Sequence, residues 1–117
     1  MSCLLVGTLM LAAANGFTLE WAHSVERTGW RESWSVTAEG LHLDRAAVRG
    51  SGAGMEPGAG ATRQDGWWVW SPDLTVPHLV LAASGATQGG WTLCADDGCH
   101  VIGADPDNPV ILRPCPG

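Results

Sequence analysis

The sequence predicts an all-β fold, a small antiparallel sandwich or barrel-like domain, on three observations. Apolar and polar residues alternate with period two through residues 17–36 (FTLEWAHSVERTGWRESWSV), as they do in half-buried strands. Sixteen glycines and seven prolines cut the rest of the chain into short pieces, which suits short strands joined by turns. No stretch shows the apolar period of an amphipathic helix.

The elements follow in order. Residues 1–14 (MSCLLVGTLMLAAA) are apolar and have two readings. One is a pair of short strands, 3–6 and 8–13, meeting near Gly7. The other is a short apolar leader with Ala12, Ala13 and Ala14 as a small-residue cleavage site. No positive charge precedes the apolar run, and it is shorter than the ~20 residues a membrane-crossing helix needs.

Residues 17–36 then form a hairpin closed at a polar patch ending in Gly29. If Val25 pairs with Trp30, His23 lies opposite Glu32, Trp21 opposite Trp34, and Leu19 opposite Val36. Residues 38–40 turn the chain into a strand at 41–48 (LHLDRAAV). Its apolar phase slips between Leu43 and Ala46, which predicts a bulge. Residues 49–61 are a Gly-rich loop, 67–70 (WWVW) a short strand, and 71–77 an irregular Pro-bounded connection. Residues 78–83 form a strand and 84–90 a turn. Residues 91–94 and 99–102 make a tight hairpin around Ala95-Asp96-Asp97-Gly98. The domain is expected to span 1–104. Residues 105–117 are a Pro-rich tail, loosely ordered, in which 110–112 can add an edge strand.

Composition narrows the function. Twelve acidic against six basic residues give a net charge of −6, which argues against a nucleic-acid partner. No basic stretch suits anionic lipid. Seven tryptophans, one phenylalanine and no tyrosine place many indole N–H groups in need of partners.

His23 and Glu32 are the leading candidate pair. Directly opposed residues lie about 4.5–5.5 Å apart at Cβ, close enough to bond. Such a pair serves as a register lock, a ligand site flanked by Trp21 and Trp34, a pair of metal ligands, or an acid–base couple. Ser51, Gly52, Gly54 and Met55 form a second candidate, a loop whose backbone N–H groups can approach a ligand. It lacks the Lys-Ser/Thr of a P-loop. Cys94 and Cys99 flank the last hairpin and read as a disulfide, as free thiols, or, with His100, as part of a metal site. Cys3 and Cys115 can pair if the termini meet. Trp68 and Trp70 share one strand face and Trp67 takes the other. No catalytic signature and no cofactor motif stands out.

Phe17, Thr18, Leu19, Trp21, His23, Ser24, Val25, Glu26, Thr28 and Glu32, followed by Gly52, Ala53, Gly54, Met55 and Pro57, resemble a bacterial family, domain of unknown function 1850. Arg27 stands where that family has lysine. DGWW and the Cys94–Cys99 region also fit, so the resemblance covers most of residues 4–99. It implies genes placed beside, or fused to, TRAP (tripartite ATP-independent periplasmic) transporters of the TAXI type, with no biochemical activity implied. It also favours an extracytoplasmic placement, periplasmic or membrane-associated, but residues 1–14 are too short for the apolar anchor other members carry, so a cytoplasmic placement stays open beside it. The expectation is a non-enzymatic accessory or binding module whose partners are transporter subunits or their solute. Two alternatives stand beside it: an enzyme using His23 and Glu32 as acid and base, and a structural domain that adds an edge strand to a partner.

Overall fold

A computed structural model describes residues 3–23, 28–49, 60–81, 90–96, 98–102 and 109–116. Twelve strands run in chain order among them. They are β1 (Cys3–Val6), β2 (Leu9–Ala12), β3 (Phe17–His23), β4 (Thr28–Thr37), β5 (Gly40–Arg49) and β6 (Thr62–Gln64). After these come β7 (Trp67–Trp70), β8 (Leu74–Val76), β9 (Leu79–Leu81), β10 (Trp91–Ala95), β11 (Gly98–Ile102) and β12 (Val110–Pro114). They form two antiparallel sheets. One has the order β2-β1-β12-β9; the other has β11-β10-β3-β4-β5-β7-β6, with β8 paired beside β5. Neither closes into a barrel, so the fold is an open sandwich.

Alternation along each strand builds the core. Leu4, Val6, Leu11, Leu81 and Leu112 point inward from the smaller sheet. Phe17, Leu19, Trp34, Leu41, Leu43 and Leu93 meet them from the larger one. Sealing a leucine this way is worth roughly 1.5–3 kcal/mol. Residues 3–12 are therefore core-forming strands that turn at Gly7 (φ +61°). The chain between β2 and β3 must turn sharply at Gly16. Its φ is +81°, and any Cβ there would run into the Trp34 carbonyl.

The slip in β5 is a bulge. Ser33 pairs with Arg45 and Trp34 with Leu43, leaving Asp44 without a partner in the β4–β5 register. Leu41, Leu43, Ala46 and Val48 consequently share one face.

Three expectations are corrected. Residues 110–114 are an interior strand, paired with β1 on one side and β9 on the other, because Leu112 completes the core and is fully buried. Within 71–77, Leu74–Val76 is an ordered strand on Leu41–Leu43. The β3–β4 register is not the one expected: His23 pairs with Thr28, Trp21 with Trp30, Leu19 with Glu32 and Phe17 with Trp34. Gly29 extends β4 instead of ending the turn. A Cβ on it would approach the Trp67 ring tip at 2.8 Å, so the glycine is the seat of that indole.

Two disulfides fasten the sandwich. Cys94 and Cys99 face each other across the last hairpin, 4.0 Å apart at Cα. Cys3 and Cys115 join β1 to the end of β12, 112 positions apart in the chain. The Cys115 amide also donates to the Cys3 carbonyl at 3.0 Å.

Candidate functional site

The inner face of the larger sheet continues past the area the smaller sheet covers. Two rows of side chains define this shoulder. Register aligns Trp21 with Trp30, Val48 and Trp68 in one row, and Leu19 with Glu32, Ala46 and Trp70 in the next. Trp91 completes the first row, its ring 5.5 Å from Trp21 in an edge-to-face contact. Trp30 and Trp70 meet edge to face at 5.8 Å. The five indoles are half-buried. Ala46 and Val48 are sealed beneath them. Small residues in β5 thus form the floor and large ones on its neighbours form the walls.

Glu32 stands where this shoulder meets the core. Oε1 accepts from Trp34 Nε1 at 3.0 Å, and Oε2 accepts from Trp30 Nε1 at 2.9 Å. Trp34 is 4% exposed and stacks on Phe17 with ring centroids 6.2 Å apart. One oxygen therefore faces the sealed interior and the other the half-open shoulder. The three residues alternate along one strand, so period two delivers both donors to one carboxylate. No ion pair involving Glu32 occurs among the described residues.

Of the residues read from the sequence, Glu32, Trp21 and Trp34 share this face. His23 does not oppose Glu32. It lies four residues along β3 from Leu19, Glu32's true partner, a distance of about 13 Å along the strand. The cross-strand acid–base pair is therefore absent. The slip leaves inward and outward assignments intact because it moves each strand by an even step. Ser51, Gly52, Gly54 and Met55 lie outside the described residues.

Two clusters on the opposite face of the larger sheet escaped the sequence reading. His42 Nδ1 bonds Asp44 at 2.6 Å, and Nε2 bonds Asp73 at 2.8 Å. The Ser35 hydroxyl donates to Asp44. Asp73 and then Asp44 hold the imidazole's pKa above its ordinary value. The residue types are those of a hydrolase triad, but the wiring is wrong. Both imidazole nitrogens are engaged by carboxylates, and the serine hydroxyl is directed at aspartate, so no ring nitrogen is free to take its proton. Period two already places His42 and Asp44 on one face; the contact that the sequence hides is Asp73, 31 positions away from His42 in the chain.

The second cluster centres on Trp67. Arg31 lies over its ring at 4.2 Å and pairs through Nε with Glu20 at 2.7 Å. Together with Gly29, Trp30 and Thr92 they border a cleft of about 290 Å³. A groove of about 470 Å³ lies further along, beside Thr18, Ser33, Asp44 and Asp96. Among the described residues no group of histidine, cysteine or acidic side chains is placed to hold a metal ion.

The fold and site define an open antiparallel β-sandwich, disulfide-fastened, with a tryptophan-lined shoulder and one carboxylate at its edge. The chain belongs to the family described as Domain of unknown function (DUF1850), whose model matches residues 17–102. That stretch holds all of the larger sheet and β9; β1, β2 and β12 lie outside it. No curated protein and no solved structure matches the chain. No helix among the described residues is long and apolar enough to cross a membrane.

Proposed function

We propose that this protein is a non-enzymatic accessory or binding module of a TRAP-TAXI solute transport system, and that the indole shoulder is its working surface. The observation that carries the reading is Glu32. A charged group half-buried among aromatic rings loses hydration, and among the described residues two neutral N–H donors offset that loss. Placing the group at the edge of the shoulder, beside half-buried rings, suits recognition more than core packing. The transporter link rests on the family's gene neighbourhood.

The test is capture of purified solute-binding and membrane subunits of the neighbouring transporter on the immobilised protein, with and without solute. Glu32→Gln and Trp30→Phe, checked for folding by circular dichroism, are expected to weaken capture. Folded protein that retains neither subunit nor solute overturns the reading.

One observation favours a second reading. The outer edge of β2 is unpaired among the described residues, and Leu9 and Met10 there are 46% and 64% exposed. Such an edge is a template for an added strand. Met10→Lys would then abolish capture and leave Glu32→Gln without effect.

A further inference from the structure

We infer that the shoulder beside Glu32 takes a small organic cation, an alkylated ammonium group, held between the carboxylate and the faces of Trp30 and Trp70. The inference rests on the reading of this shoulder as a binding surface and names the chemistry it selects.

Three features carry it. The first is charge. Glu32 has two indole donors and, among the described residues, no cationic partner. A carboxylate offers about four lone-pair sites, so Oε2 keeps accepting capacity on the shoulder side.

The second is the wall. Indole is the strongest aromatic partner for a cation, and the attraction grows as water is excluded. Trp30 and Trp70 meet edge to face, so their ring planes stand at a steep angle and form two sides of a corner. Trp30 also binds the carboxylate through its N–H. That bond fixes the ring and draws electron density toward its face.

The third is discrimination. An anion brought to this point would meet Glu32 at close range with no ion-pair partner of Glu32 among the described residues to offset it. A neutral solute would gain the apolar contact but not the Coulomb attraction. The nearest guanidinium on β4, Arg31, points to the opposite face and is engaged by Glu20 and Trp67.

The experiment titrates the full chain with three probes of similar size: tetramethylammonium chloride, neopentyl alcohol and sodium pivalate. Sodium chloride matches the ionic strength, and tryptophan fluorescence is the readout. Tetramethylammonium is expected to saturate and to bind at least about tenfold more tightly than either other probe. Glu32→Gln is expected to remove that preference. Trp70→Leu, which leaves the carboxylate and its two donors in place, is expected to weaken the cation by about fivefold.

Three outcomes overturn the assignment: equal binding of the three probes, an unchanged cation affinity in Glu32→Gln, or no saturable response to tetramethylammonium. Neopentyl alcohol binding as well as the cation removes the cation class and leaves the binding surface standing. Subunit capture is scored separately, so failure of the transporter link does not decide the ligand's charge.

Discussion

Removing the Cys3–Cys115 bridge by the double substitution Cys3→Ser/Cys115→Ser should be the most damaging conservative change to the chain. The bridge spans 112 positions. On the chain-entropy relation it withholds about 4.8 kcal/mol of freedom from the unfolded state. The Cys94–Cys99 bridge spans only 5, and the same relation gives about 2 kcal/mol. A domain of this size has a total stability of about 5–15 kcal/mol, so the first loss can approach the whole and the second is less than half as large. The bridged ends are already paired, with Leu4 opposite Pro114, so serine in place of cysteine leaves the local backbone unstrained. Equilibrium urea unfolding followed by tryptophan fluorescence measures both. With a denaturant slope near 2 kcal/mol per molar, the midpoint should fall by about 2.4 M for the long bridge and about 1 M for the short one. Equal shifts, or the reverse order, would refute the argument that loop length sets the contribution.

Four further outcomes are expected. His42 gains two carboxylate partners on folding and its pKa rises. Its contribution is therefore complete below the unfolded value of about 6.5 and is lost as pH rises through the folded value. Melting temperature should fall across that window in the native chain and less so in His42→Gln. Gly16→Ala should cost at least about 2 kcal/mol, since its positive φ and the Trp34 carbonyl leave the new methyl no room. Gly66→Ala, with positive φ but open space around it, should cost about 1–2 kcal/mol; both are read from urea midpoints. Trp34→Phe removes the donor to Glu32 Oε1 and should destabilise by about 1–3 kcal/mol. A near-zero value in the same assay would show that this bond contributes nothing to holding the carboxylate.

Much of the sandwich was legible because period two is a local signal. The alternation in residues 17–23 and 28–37 gave the inward faces, and the misphasing of Leu43 against Ala46 gave the bulge. Register was not legible. Placing Gly29 in the turn assumed that a glycine near a polar patch serves backbone curvature. Here it serves the Trp67 ring, a neighbour two strands away whose demand leaves no trace in nearby sequence. The same blindness hid residues 110–114. Prolines marked them as tail, yet Pro114 lies at the end of the strand, and Leu112 sits between β1 and β9. As for the site, Glu32 and its flanking tryptophans could be read from spacing. Neither the pairing of Trp30 with Trp70 nor the tie from Asp73 to His42 could be, because each joins residues from distant parts of the chain.

The bulge at Asp44 has a consequence for how this strand tolerates change. Deleting Asp44 on paper would make β5 more regular: Leu43 and Arg45 would become neighbours, and Ser33 through Gly29 would keep the partners they have now. Every downstream residue would stay on its present face. The sheet itself has no use for the extra residue. It resembles an insertion absorbed without a frame change, retained at the one position where its carboxylate reaches Ser35 and His42 together. Length variation in β5 should therefore be harmless to the sandwich at this position. What it would erase is the ionic knot on the outer face.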